Sequence, residues 1–429
     1  MEGQTLETRL RQGGLDEALE RLYGAAKLES ARSRCAGVLE GFAKTFGKEA
    51  EALFSAPGRT ELGGNHTDHE RGRVLAGSVD LDILAAAAPN RSGVIRIQSE
   101  GYPQITVDLK ELEPRREEEN TTAALVRGVA ARMAELGCPL AEAGLDAYMS
   151  STVPGGSGLS SSAAFEVLMG TMLNDLFWGG KCAPMEIAQI GQYAENVFFG
   201  KPCGLLDQAA CAVGGVVAID FADSENPVVE RIGLDLAAMG HALCIIDSGA
   251  DHADLTGEYA AVPEELRAIC RRFGKEVLRE VPEQEFFAAL PELRRECGDR
   301  AVLRAIHIYD DNARVSGQVG ALRRGDFDAF LMHVRDSGLS SWRYLQNVVP
   351  AGYTEHQDVA FALALAERLL DTAGACRVHG GGFAGTIQAF VPQEGLEKFR
   401  AGIEAVLGAG SCHVVAIRPA GGVRLDRTM

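Results

Sequence analysis

The sequence lacks several patterns that commonly assign a protein to a class. Its ten cysteines are scattered singly, with no Cys-x-x-Cys pair and no zinc-ligand spacing. No apolar run reaches the ~18 residues that a membrane helix needs, and no segment has the pattern of a signal peptide. We therefore expect a cytoplasmic protein with reduced thiols, most of them buried as small apolar side chains.

Basic residues are also in deficit. The chain has 60 Asp and Glu against 42 Lys and Arg, which gives a net charge of −18. Nucleic acids and anionic membranes require a basic surface, so we expect neither as a partner. At about 150 residues per domain, the 429 residues suffice for two or three domains.

Two common nucleotide-binding loops are missing as well. The Walker loop ends in Gly-Lys followed by Ser or Thr, whereas every Gly-Lys pair here is followed by Glu, Cys or Pro. A Gly-x-Gly-x-x-Gly run occurs at Gly380, Gly382 and Gly385, but it leads into a strand-like segment. A Rossmann loop must open a helix, so this run does not predict dinucleotide binding.

A loop rich in glycine and serine is present at residues 153–164. The preceding segment, 145–150, alternates like a strand, and 163–177 is rich in helix-forming residues. Glycines let the backbone approach a ligand, and a helix N-terminus attracts phosphate. The serines can cap the helix or, as hydroxyls, bind Mg²⁺. The loop predicts a phosphate cradle without a lysine; the alternative is a flexible Gly/Ser connector.

A second polar, glycine-rich segment follows a short predicted strand at residues 53–56. Arg59, His66 and Asp68 lie within ten residues of each other. Asp and His suit sugar hydroxyls, and Arg suits a phosphoryl group or a neighbouring acid whose pKa it lowers. His66 and His69 are also spaced like a metal pair, but no third ligand follows and the segment has turn chemistry, which disfavours a metal.

Asp207 stands in an otherwise apolar stretch, where a carboxylate is costly unless it is paired. We expect either a catalytic carboxylate held against a cation or a side chain that caps a helix. Tyr259, in a polar helix start, either contacts a ligand or is simply half-buried.

The predicted fold is α+β, with two lobes around a cleft lined by the glycine-rich loops 56–68, 153–162 and 380–386. We divide the chain into a helical extension (1–50), an N-terminal domain (51–225) and a C-terminal domain (226–429). Leucines recur at near-helical spacing in the extension, for which we expect a docking or oligomer-contact role.

Taken together, these motifs resemble the GHMP kinases, and among them the galactokinases. Residues 57–68 are similar to the sugar signature, 153–163 to the phosphate loop and 380–386 to the third glycine motif. Residues 194–208 are similar to the segment that carries a metal-linked Glu and a catalytic Asp. The resemblance covers roughly residues 50–429 and implies an S5-like N-terminal domain, an α/β C-terminal domain and an active site in the cleft.

The resemblance implies phosphoryl transfer from ATP, with Mg²⁺, to the C1 hydroxyl of galactose or a close hexose. Asp207 would be the base or orienter, with Arg59 beside it, and Ser161 and Glu195 would hold Mg²⁺, although the choice among serines 160–162 stays open. The implied nucleotide-binding residues are Pro154, Gly155, Gly156, Ser157, Gly158, Leu159, Ser160, Ser161 and Ser162. The implied sugar-binding residues are Asn65, His66, Asp68, Gly204 and Tyr259. We expect a monomer or a weak homo-oligomer.

The chain departs from the galactokinase pattern at several positions. Asn65 stands where Glu is usual, and in galactokinases that Glu reaches the sugar O6 hydroxyl. Glu61 stands where Asn is usual, Gly63 replaces a branched apolar residue, and Ala384 replaces a glycine. The paired arginines that usually follow the tyrosine are absent after Tyr259. These changes leave open a kinase of galacturonate or N-acetylgalactosamine, or a catalytically silent sugar sensor on the same fold.

Overall fold

The computed structural model describes residues 4–141, 143–155, 158–201, 203–250 and 255–427. Within these ranges the helices are α1 (Leu6–Arg11), α2 (Asp16–Tyr23), α3 (Leu28–Phe46), α4 (Thr122–Glu135), α5 (Ser161–Trp178), α6 (Pro184–Tyr193), α7 (Leu206–Val213), α8 (Thr256–Arg272), α9 (Glu283–Ala288), α10 (Leu290–Cys297), α11 (Asp299–Arg323), α12 (Phe327–Ser340), α13 (Asp358–Leu370) and α14 (Leu396–Leu407). The strands are β1 (Ala52–Gly63), β2 (Arg73–Pro89), β3 (Val94–Ser99), β4 (Ile105–Asp108), β5 (Leu145–Ser151), β6 (Val216–Asp220), β7 (Val228–Ile232), β8 (His241–Asp247), β9 (Ala375–Val378), β10 (Thr386–Pro392), β11 (Cys412–Val415) and β12 (Val423–Arg424). Single π-helical turns follow α6 and α12, at Ala194–Phe199 and Ser341–Leu345.

The first sheet is built around the long strand β2. Its order is β12-β1-β2-β5-β3-β4, and β6 pairs with the start of β2 and with β7. Side chains alternate between its faces: Phe54 and Ala85 face a core shared with α4–α7, whereas Leu53 and Leu84 face the N-terminal helices. Helices therefore cover both faces, which explains why all of β1 is buried.

The N-terminal helices α1–α3 correspond to the predicted helical extension, and they form a layer on this sheet. Leu19 and its apolar neighbours pack on the outer sheet face. The buried Asp82 carboxylate on β2 accepts hydrogen bonds from the Tyr23 hydroxyl, from Arg34 at 2.7 Å and from Arg418 at 3.0 Å. Burial opposes the charge, but the two arginines lower the pKa of Asp82 below its ordinary value. The extension is thus docked on its own chain.

The second sheet is antiparallel, in the order β11-β8-β10-β9. On one face, α13 and α14 enclose an apolar cluster that includes Ile246 and Phe399. On the other face, Leu243 and Phe390 join the core of the first sheet through Phe330 of α12. The two sheets share a core, which confirms the α+β class and sets the two parts of the chain side by side.

The strand pairing crosses the predicted domain boundary at residue 225. The strand β7 pairs with β6, and β12 pairs with β1, so the first sheet takes strands from both sides of that position. The domain ranges 51–225 and 226–429 therefore stay a prediction, and the strand pairing favours a boundary beyond Ile232.

Two local elements differ from the sequence-based expectation. The predicted short strand and turn at 53–69 is largely strand, because β1 continues to Gly63 through irregular pairing near Arg59. The helix predicted over 183–199 divides into α6 and the π-helical turn Ala194–Phe199, which contains Glu195. Such turns insert one residue into a helix and often occur at functional sites. Among the described helices, none has the length and apolarity that a bilayer crossing requires.

Candidate active site

Arg59 and Asp207 meet where β1 passes the start of α7. The Arg59 Nε donates to Asp207 Oδ1 over 2.7 Å, and the Ser160 hydroxyl donates to the other carboxylate oxygen. No side chain caps α7. Asp207 is therefore paired with a cation, and the alternative role as a helix cap is wrong.

The environment of Asp207 keeps it ionised. Burial would raise the pKa of the carboxyl group, but the charge of Arg59 and the hydrogen bonds from Arg59 and Ser160 lower it below its ordinary value. The Asp207 side chain is 36% exposed, against 8% for Arg59. The Asp207 side of the ion pair is thus accessible. Its carboxylate is a weak base but a strong hydrogen-bond acceptor.

The glycine- and serine-rich loop leads into a helix, as predicted. Helix α5 begins at Ser161, and Ser160 precedes it in a left-handed conformation with φ of 57°. The Arg59 amide donates to the Leu159 carbonyl over 3.1 Å, and its guanidinium donates to the Gly158 carbonyl. The start of α5 and the Arg59–Asp207 pair are therefore adjacent, which suits an anionic phosphate. Pro154, Gly155 and Ser162 lie in the same loop and helix start, whereas Gly156 and Ser157 lie outside the described residues.

The third glycine-rich loop connects the antiparallel strands β9 and β10, so the rejection of a Rossmann loop is confirmed. It packs against the phosphate loop at Gly158, which has φ of 70°. A Cβ there would lie 3.2 Å from both His379 Nδ1 and Thr386 Oγ1. The three glycine-rich segments therefore converge, although they are far apart in sequence.

Two buried carboxylates lie beside this centre. The Gln208 side-chain amide donates to Glu195 over 2.9 Å and to Glu166, on α5, over 3.0 Å. Burial and the nearby Glu195 charge raise the pKa of Glu166. Within the described part of the chain, Glu166 Oε1 and Gln208 Oε1 have no hydrogen-bond partner. The Lys201 ammonium lies 3.9 Å from Glu195.

The side-chain oxygens of Glu195, Glu166 and Gln208 are candidate ligands for a metal ion. Among the described residues, no group of three or more His, Cys, Asp or Glu side chains is arranged to hold an ion. An ion would therefore need further oxygens from a bound ligand. Carboxylate and carbonyl oxygens are the ligands that Mg²⁺ prefers. The His66 and His69 rings lie 6.3 Å apart, and within the described ranges they belong to no metal cluster.

Sequence reasoning missed Glu166 and Lys201. Glu166 stands inside an apolar helical run, the same signal that singled out Asp207. Lys201 follows Gly200 in a Gly-Lys pair that matched no known loop, and the turn that ends the π-helical segment brings it to Glu195, where the Lys201 amide donates to the Glu195 carbonyl over 3.3 Å.

Asp68 and Gly204 lie in close contact. A Cβ on Gly204 would come within 2.2 Å of Asp68 Oδ2, so a side chain there would displace the carboxylate. Asp68 is 16% exposed. The glycine thus allows the segment after β1 to approach the segment that carries Asp207.

His66 and Tyr259 both contact the third glycine loop. The His66 Nε2 donates to the Gly381 carbonyl over 2.9 Å, and the Tyr259 hydroxyl donates to the Gly382 carbonyl over 2.7 Å. Burial lowers the pKa of His66 to about 4, so its ring is neutral at physiological pH. Both side chains are half-buried and border the convergence of the loops.

Asn65 is held by polar groups of its own chain. Its side chain has no exposed surface. Its amide nitrogen donates to the Gly380 carbonyl over 2.6 Å and to Glu61 over 3.1 Å, and its oxygen accepts from Asn347 over 2.8 Å. These partners occupy both ends of the amide, and sugar contact by Asn65 stays a prediction.

Comparison with known proteins agrees with this geometry. The family model described as the GHMP kinases N terminal domain matches residues 124–215, and the galactokinase galactose-binding signature matches residues 40–89. A galactokinase of Streptomyces coelicolor is 31% identical over 397 residues, covering 90% of this chain and 97% of the relative. A galactokinase of Actinobacillus pleuropneumoniae is 33% identical over 370 residues, covering 84% and 90%.

Solved structures show the same relationship. Lactococcus lactis galactokinase, solved in complex with galactose, superposes with a TM-score of 0.76 at 25% identity, covering 91% of this chain and 99% of that one. The Leishmania major mevalonate kinase in complex with R-mevalonate has a TM-score of 0.58 at 14% identity, covering 86% and 96%, and shares the fold. At 31% and 33% identity over most of both lengths, the chain belongs to the galactokinase family of GHMP kinases.

Proposed function

We propose that this protein transfers the γ-phosphoryl group of ATP to the C1 hydroxyl of galactose, giving galactose 1-phosphate and ADP. The carrying observation is the Arg59–Asp207 ion pair, which is open on one side and adjacent to the start of α5. Relatives named galactokinase, one of them solved with galactose, support the choice of sugar.

In this proposal Asp207 accepts a hydrogen bond from the C1 hydroxyl and orients it towards the γ-phosphorus. The new bond forms between O1 and phosphorus, the bond between phosphorus and the β–γ bridging oxygen breaks, and the hydroxyl proton passes to Asp207 or to solvent. Phosphoryl transfer depends mainly on positioning and charge stabilisation, so a weak base is sufficient. Arg59 keeps Asp207 ionised and offsets charge on the transferring group.

Mg²⁺ and ATP fit the remaining groups. Ser161, the first residue of α5, and Glu195 would hold the ion, with Glu166 and Gln208 oxygens nearby. Bound Mg²⁺ would neutralise part of the nucleotide's phosphate charge. The loop from Pro154 to Ser162 would cradle the phosphates through backbone amides.

For the sugar, Asp68 and Gly204 would line the pocket next to Asp207. His66 and Tyr259 would border it through their contacts with the third glycine loop. Hydroxyl groups of a hexose suit this mixture of a carboxylate and neutral donors.

The test is a panel of galactose, galacturonate, N-acetylgalactosamine and arabinose, with ATP and Mg²⁺ and with ADP release as readout. We expect galactose to give the highest kcat/KM. No turnover of galactose would overturn the proposal, and preferred turnover of galacturonate or N-acetylgalactosamine would reassign the substrate. Galactose binding by calorimetry without turnover of any sugar would indicate a sensor.

A further inference from the structure

Three consecutive carbonyls of the third glycine loop are each held by a side chain from another segment. Gly380 accepts from Asn65, Gly381 from His66 and Gly382 from Tyr259. Asn65 and His66 lie next to each other in the segment that follows β1. That segment therefore donates hydrogen bonds to two adjacent carbonyls of the glycine loop.

The hydrogen bonds of Asn65 require a side-chain amide. Its nitrogen donates two hydrogen bonds, to Gly380 and to the Glu61 carboxylate, while its oxygen accepts from Asn347 at 2.8 Å and from Ser341 at 3.3 Å. An amide has two donors and two acceptor positions, and all four are used. A carboxylate at this position would accept at both ends and would face Gly380 and Glu61 with no proton to donate.

Glu61 carries the local negative charge instead. Its carboxylate accepts from Arg377 over 2.6 Å, and both side chains are buried. Arg377 lies on β9, three residues before Gly380, so this ion pair anchors the strand that leads into the same loop. One carboxylate at position 61 and one amide at position 65 thus satisfy each other and the loop.

The held loop in turn contacts the phosphate loop. His379 Nδ1 lies 2.9 Å from Thr386 Oγ1, and both atoms border Gly158. The Gly158 carbonyl accepts from Arg59. A displacement of Gly380 would therefore shift the groups around Asp207 through two contacts, that of the loop with Gly158 and that of Gly158 with Arg59.

We propose that Asn65 is a positioning residue that fixes the 380–386 loop against β1 and the phosphate loop, and that it makes no contact with substrate. The kinetic part of the test rests on the proposed function. A misplacement of about 1 Å remote from the reacting atoms can cost about a hundredfold in rate. Loss of the Asn65 donors should therefore lower kcat while sugar affinity stays nearly constant.

The experiment compares Asn65→Ser and the isosteric Asn65→Asp with wild type. We expect kcat to fall about 10- to 100-fold in both variants, while the galactose Kd from calorimetry stays within about threefold, and Asn65→Asp to be the more damaged. The matched control is Asn90→Asp, because Asn90 also donates to a carboxylate, Asp146 at 2.7 Å, and to a carbonyl, that of Val94 at 3.2 Å, at the edge of the first sheet.

A tenfold rise in galactose Kd at unchanged kcat would overturn the proposal, since it would indicate direct sugar contact. An equal loss of kcat in Asn90→Asp would also overturn it, because the effect would then be general destabilisation. Hydrogen–deuterium exchange of the 380–386 segment needs no substrate: faster exchange in Asn65→Ser than in Asn90→Asp supports the proposal, and equal exchange rejects it. That measurement decides the matter even if the wild type does not phosphorylate galactose.

Discussion

Replacing Asp207 by Asn removes the charge of the central carboxylate with little change in shape. The carboxylate accepts from the Arg59 Nε at 2.7 Å and from Ser160. An amide can keep one of these bonds, but its NH₂ group must then face a donor or lose its partner. Positioned acid–base groups contribute about 10²- to 10⁴-fold, and one electrostatic contact contributes about 10²- to 10³-fold. We expect kcat to fall by about 10³-fold or more, with galactose binding still measurable.

The assays are ADP release at saturating substrates and calorimetry with galactose. Arg59 is left without its charged partner, but Asp207 is partly exposed, so we expect a loss of only about 1–3 kcal/mol in the free energy of unfolding. Asp220→Asn is the control, because Asp220 accepts from Arg73 at 2.8 Å and from Arg279 at 3.1 Å. A kcat within tenfold of wild type in Asp207→Asn would refute the assigned role.

Three further predictions follow from the same geometry. Lys201→Met should raise the KM for ATP about three- to fivefold at unchanged galactose affinity, because an exposed charge contact contributes up to about 1 kcal/mol. The kcat/KM for galactose should show no acid limb near pH 6.5, because burial lowers the pKa of His66 to about 4 and that of His379 well below its ordinary value, so both are already neutral there. Tyr23→Phe should lower the free energy of unfolding by about 1–2 kcal/mol, measured with denaturant, at unchanged kcat, since Asp82 loses one buried hydrogen bond.

Each of these predictions has a contradicting result. Lys181→Met is the control for Lys201, because Lys181 is an exposed lysine next to the Trp178 ring. An equal KM effect in both variants would indicate net charge and not a local contact. A titration near pH 6.5 in kcat/KM that has its source in His66 or His379, and not in Glu166, whose pKa is also raised by burial, would contradict the neutral state of the two rings. Tyr23→Phe at wild-type stability would mean that the network joining the extension to β2 contributes little.

Each of the three glycine-rich loops carries its own local signal in the sequence, whereas their convergence was expected from the resemblance to the GHMP kinases. The phosphate loop joins a strand pattern to a helix pattern, and Asp207 stands out as a carboxylate in an apolar stretch. The need of such a carboxylate for a cation was predictable in the same way, whereas Arg59 as its partner was implied by the resemblance to the GHMP kinases. Signals of this kind depend on residue type and immediate neighbours, which a single sequence contains.

Partners that are distant in sequence were not predictable from local patterns. The Glu61–Arg377 ion pair joins residues 316 positions apart, and the Asn65 amide donates to the same Glu61 carboxylate. Asn65 was expected to contact the sugar because it stands where galactokinases have a Glu that reaches the sugar O6 hydroxyl. The structure turns it inward, where its amide nitrogen donates to the Gly380 carbonyl and to the Glu61 carboxylate.

The balance of charge explains why a phosphate loop without lysine depends on the rest of the cleft. The Arg59 guanidinium already donates to Asp207 and to the Gly158 carbonyl, so much of its capacity is committed before a nucleotide binds. Glu166 and Glu195 add further carboxyl groups beside it. In the proposed reaction, positive charge for the phosphates would come from the start of α5, from Mg²⁺ and from Lys201, whose ammonium is exposed and 3.9 Å from Glu195. We therefore expect the loss of Lys201 to lower nucleotide affinity and to leave sugar affinity unchanged.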